Sequence, residues 1–154
     1  MDFIYTPFLK LFGWNSFLNE QPNDLRGIAA QFQQYFATLG CGSAFGTLLV
    51  ITIVGVILYY FKWCNGSSKR FQYRFRLKWW LIWLFSTALI TALFTYIVLL
   101  IAEYFLLNNN QLGKEFYYAV SICNFIYSLV IFFVFSIAAA KLGDKHTNAS
   151  CTPF

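Results

Sequence analysis

Between Trp79 and Ala102 the chain reads WWLIWLFSTALITALFTYIVLLIA, without a single charged residue. About 20 consecutive apolar residues are what an α-helix needs to cross the hydrocarbon of a bilayer, and a helix buried in a soluble core is usually shorter. Trp79, Trp80 and Trp83 crowd one end of the run and Tyr104 follows the other. Aromatic rings of this kind settle at the two headgroup levels of a membrane. The run therefore predicts a transmembrane helix over about residues 79–104.

Two further runs have the same character. Residues 43–63 carry no charge before Lys62 and end in the aromatic cluster Tyr59, Tyr60, Phe61 and Trp63. Residues 116–140 are uncharged up to Lys141, with Tyr117, Tyr118 and Tyr127 towards their first half and Gly143 as a stop just beyond. Between the second and third runs lies only a short polar turn, Asn108 to Gly113, which makes those two helices antiparallel neighbours. The predicted fold is an all-α integral membrane protein with three transmembrane helices and one or two N-terminal amphipathic helices.

Composition points the same way. Of 154 residues, 59% are hydrophobic, 22% aromatic and 11% charged. A soluble domain carries about 25% charged residues, because its surface faces water. Much of this surface must face something other than water, and lipid is the candidate.

Residues 1–40 read differently. Ile4, Tyr5, Phe8, Leu9, Leu11 and Phe12 recur at helical spacing, with Asp2, Thr6 and Lys10 between them. That pattern predicts a short amphipathic helix lying in the interface plane or packed on the spans. After Gln21-Pro22-Asn23, Asp24 is a good N-cap for a second amphipathic segment carrying Leu25, Ile28, Phe32, Tyr35, Phe36 and Leu39. The expected organisation is an N-terminal interfacial region (1–40), a three-helix membrane domain (41–142) with a basic loop (64–78), and a short tail (143–154). Asp2, Pro7 and Lys10 interrupt anything resembling a secretory leader, so insertion is expected through the spans themselves.

Charge sets the expected direction. Lys62, Lys69, Arg70, Arg74, Arg76 and Lys78 cluster between the first two runs, and Lys141 and Lys145 follow the third. These eight of eleven basic residues fall on one side, against Lys10, Arg26 and Lys114 on the other. The positive-inside rule then expects the N-terminus outside and the basic loop and C-terminus in the cytoplasm, in a plasma or bacterial inner membrane. Asn65-Gly66-Ser67 and Asn148-Ala149-Ser150 match a glycosylation sequon but fall on the expected cytoplasmic side.

Polar residues within the spans are few and ordered. Thr87, Thr91 and Thr95 repeat every four residues on the second span; Ser121, Asn124 and Ser128 share one face of the third. The first span carries Gly42-x-x-x-Gly46 at its outer end. Small and hydroxyl residues allow helices to approach closely, and Asn can hydrogen-bond between them. The expectation is that these stripes pack against each other; the competing reading is a pore lining. Glu103, at the outer end of the second span, is expected as an interfacial acid. Lys69, Arg70, Arg74, Arg76 and Lys78 are candidates for contact with lipid headgroups or with an acidic partner.

No catalytic set is visible. His146 is the only histidine and lies in the tail, while Cys41, Cys64, Cys123 and Cys151 have no metal-ligand spacing and read as isolated thiols, with a Cys41–Cys123 disulfide as the alternative. No cofactor, metal site or nucleic-acid partner is expected. The partners expected are the lipid bilayer and other membrane subunits or copies of the chain. The sequence thus points to a non-enzymatic subunit that anchors or assembles a membrane complex, with a small homo-oligomeric channel or membrane-permeabilising effector as the alternative.

Overall fold

The computed structural model describes Tyr5, Gln34 and residues 41–60, 73–107 and 115–142. Helix α1 spans Cys41–Ile57, α2 spans Tyr73–Leu107, and α3 spans Glu115–Leu142; the described residues contain no strand. Each helix holds a stretch apolar and long enough to cross a membrane: Gly42–Tyr60, Leu77–Phe105 and Tyr117–Ala139. The expected amphipathic helices over residues 1–40 lie outside the described residues, apart from Tyr5 and Gln34. So do Lys69, Arg70 and the tail.

At 19 residues, the stretch on α1 is roughly 28 Å long, close to the ~30 Å hydrocarbon thickness. Helix α2 is 35 residues, roughly 52 Å, so it must tilt or project from the bilayer. It starts at Tyr73, six residues before the expected span, and carries Arg74, Arg76 and Lys78 on its first turns. Arg, Lys and Leu are good helix formers, and no Gly or Pro intervenes between Tyr73 and Trp79 to stop the helix there.

The first helix closes on a π-helical turn at residues 58–60. Hydrogen bonding from i to i+5 widens that turn and advances the register. Tyr59 and Tyr60, though adjacent in sequence, are both buried there.

The chain divides into two units, one formed by Met1–Leu48 with Ala92–Asn124, the other by Leu49–Thr91 with Phe125–Phe154. In the second unit a core gathers Val56, Tyr59, Tyr60, Trp80, Leu84 and Phe132. Trp80 meets Phe132 edge-on at 6.2 Å, and Tyr59 lies 6.3 Å from the same ring. Within this unit Thr91 pairs with Ser128 and Trp80 with Ser136, so the chain runs antiparallel along α2 and α3. Thr52 and Tyr60 pair with Ser128 and Ser136 respectively, so α1 runs parallel to α3. The first unit buries Tyr5, Ala44, Leu48, Leu99, Tyr117, Val120 and Cys123, the last a free thiol.

Candidate functional site: polar groups inside the spans

Polar side chains at membrane depth are costly unless another group satisfies them. In this protein they meet at three residues of α3: Asn124, Ser128 and Ser136.

Asn124, in the first unit, is 0% exposed. Its amide nitrogen donates to the Ala44 carbonyl at 3.0 Å and to Thr95 Oγ1 at 2.8 Å. Its Oδ1 accepts from the Tyr5 hydroxyl at 2.6 Å. Both amide hydrogens and one acceptor site are thus used by α1, α2 and the N-terminal segment. Asn124 lies seven residues, roughly 10 Å, inside the apolar stretch of α3 that begins at Tyr117, so Tyr5 meets that helix within its apolar part.

Ser128, in the second unit, plays the corresponding part. Its hydroxyl lies 2.9 Å from Thr52 Oγ1 and 3.4 Å from Thr91 Oγ1, while Thr91 also donates to the Thr87 carbonyl at 2.8 Å. Back-bonding of this kind satisfies a threonine within its own helix and leaves an oxygen lone pair for a neighbour. Further along α3, Ser136 Oγ accepts from Trp80 Nε1 at 3.1 Å, and its carbonyl accepts from the Tyr60 hydroxyl at 3.4 Å. The structure therefore brings together Thr95 with Asn124 and Thr91 with Ser128 from the two expected stripes.

Thr87 and Ser121 stand elsewhere. Thr87 is the neighbour of Gly55: a Cβ built on that glycine would lie 2.6 Å from Thr87 Cγ2 and 2.7 Å from its Oγ1. This is where α1 and α2 come closest through a glycine. By contrast, a Cβ on Gly42 or Gly46 would meet nothing within 4 Å among the described residues. Ser121 Oγ is buried and meets no hydrogen-bond partner among the described residues.

Glu103, although it ends the second span, is 8% exposed. It lies near Tyr117 and Tyr96. Tyr96 in turn stacks on Tyr118, with ring centroids 5.2 Å apart, and meets Tyr117 edge-on at 6.4 Å. Lys78 is exposed at the opposite end of α2. Among the described residues no group of three His, Cys, Asp or Glu side chains gathers around a common point.

Thr52, Ser136 and Gly55 complete these contacts and were not named from sequence; Tyr5 and Trp80 were, but as an amphipathic-helix residue and an interfacial ring. Thr52 and Ser136 continue, four residues at a time, the buried rows containing Leu48 and Phe132. That spacing was the available signal. Nothing local marked Tyr5 among the apolar residues around it.

Three apolar helices of spanning length, with their polar groups turned towards one another, define a multi-pass helical membrane protein. No protein-family model matches the chain, and neither does any curated protein or solved structure.

Proposed function

We propose that the chain is a non-enzymatic membrane subunit that anchors or assembles a larger membrane complex through helix–helix and interfacial contacts. Its N-terminus lies outside and its C-terminus in the cytoplasm, in a plasma or bacterial inner membrane. The observation that carries this reading is the use made of the polar groups. Thr52, Thr91, Thr95, Asn124, Ser128 and Ser136 are fully buried and bonded to residues of other elements. The outward faces present Val50, Leu93 and Phe105, exposed at 63%, 55% and 78%. Such a surface offers lipid or another apolar helix a place to pack, and offers a polar substrate little.

The open flank of α1 supports the same reading. Among the described residues nothing lies within 4 Å of a Cβ placed on Gly42 or Gly46, the kind of room that a neighbouring helix fills closely in small-xxx-small packing. The bonds among Asn124, Thr95, Ser128 and Thr91 weigh against a hydrated path through the chain's own spans, because a water would have to displace partners already in place.

The test is native mass spectrometry of the full chain extracted from its own membranes in mild detergent. A fixed stoichiometry with other subunits or copies, weakened by Gly46→Leu, is expected. A monodisperse monomer in every mild detergent, unchanged by Gly46→Leu, would overturn the reading.

A further inference from the structure

We infer that the start of α2 holds an anionic phospholipid, with the headgroup at Arg74 and Lys78 and an acyl chain along the outward row that follows them. The sequence groups five basic residues without distinguishing them. The helix separates them.

At 100° per residue, Lys78 falls on the same side of α2 as Ile82, Phe85 and Leu89. Those three are exposed, and so is Lys78. Arg74 precedes Lys78 by one turn and shares this side. Arg76 does not: it falls in register with Trp80, which is 5% exposed and belongs to the core with Tyr60 and Phe132. Arg74 and Lys78 therefore share the angular position of this exposed row, and Arg76 that of Trp80.

The vertical placement also fits. The apolar stretch of α2 begins at Leu77, so Lys78 lies at its very end and Arg74 about 6 Å further along the axis. At the position of Lys78 a long basic side chain extends towards the headgroup phosphates while its methylenes stay in contact with the acyl region. Trp79 and Trp83, both half-buried, lie at the same level of the helix, where aromatic rings suit the interface between the two regions. Charge complementarity selects the occupant: a headgroup with net negative charge gains from both residues, whereas a zwitterionic one carries its own ammonium group in competition.

Each basic residue near an anionic surface is worth about 1 kcal/mol, which corresponds to roughly a five-fold change in relative affinity. The full chain is reconstituted in mixtures of phosphatidylcholine and phosphatidylglycerol, one or the other brominated on its acyl chains. Quenching of tryptophan fluorescence reads which lipid lies against the protein. The wild type is expected to favour brominated phosphatidylglycerol roughly ten-fold or more. Arg74→Gln and Lys78→Gln should each lower that preference about five-fold, and the double variant should abolish it. Arg76→Gln should leave it unchanged, and the charge-keeping pair Arg74→Lys with Lys78→Arg should retain it. Equal quenching by the two lipids in the wild type overturns the inference. So does a loss on Arg76→Gln as large as that on Lys78→Gln, or a loss in the charge-keeping pair.

Discussion

Replacing Asn124 by Leu tests the central claim about the interior, that its polar groups hold the helices together. Leu has the same number of side-chain heavy atoms as Asn and the same branching, so the change removes hydrogen bonds without opening a cavity. Three bonds disappear, with lengths of 2.6, 2.8 and 3.0 Å. Side-chain hydrogen bonds between membrane helices average about 0.6 kcal/mol each and reach about 1.7 kcal/mol. The expected loss is therefore about 2 kcal/mol, with a ceiling near 5 kcal/mol. Thr95 and Ala44 can fall back on bonding within their own helices, which keeps the estimate towards the lower figure. The Tyr5–Asn124 bond is the shortest of the three, so this pair should show the clearest coupling. A double-mutant cycle with Tyr5→Phe, Asn124→Leu and the pair, read by reversible unfolding in mixed detergent micelles, should give a coupling of about 0.6 to 1.7 kcal/mol. A coupling indistinguishable from zero, with Asn124→Leu as stable as the wild type, would refute the argument.

Gly55→Ala should destabilise the chain by about 1–3 kcal/mol, since the added carbon would meet Thr87, and Thr87→Ala should restore much of the loss in the same unfolding assay. Gly42→Ala and Gly46→Ala should leave the isolated chain as stable or raise it by up to about 1 kcal/mol, while Gly46→Leu weakens assembly; equal losses at Gly46 and Gly55 in the isolated chain would contradict the open flank. Purified protein in liposomes should pass no ions, and a flux lost on Thr91→Leu and Asn124→Leu would instead establish the pore. Phosphatase fused after Gln111 should be active outside the cell and a cytoplasmic reporter should be active at the C-terminus; the reverse pattern would invert the proposed topology.

The existence of the three spans was legible from single stretches of sequence. Hydrophobic length is a local property: an uncharged run such as Trp79–Ala102 must become helical in lipid because no water is present to satisfy its backbone. The presence of ordered polar rows was legible too, because Thr87, Thr91 and Thr95 show helical spacing directly. Their partners were not. Whether Asn124 bonds to Thr95, and Ser128 to Thr52, depends on the rotation and depth of helices far apart in the chain, and no local periodicity fixes either quantity. The two glycine settings make the same distinction. Gly42 and Gly46 carried the recognisable motif, yet it is Gly55 that lies against Thr87, because close approach is decided by where two helices cross. Glu103 could be placed at the end of a span by counting residues, but its burial beside Tyr117 required the fold of α3 against α2. By itself the sequence determined what must lie in the membrane, through the energetic demand of lipid on each segment. Only the tertiary structure decided which groups satisfy one another there, since that choice belongs to helix register and no single segment contains it.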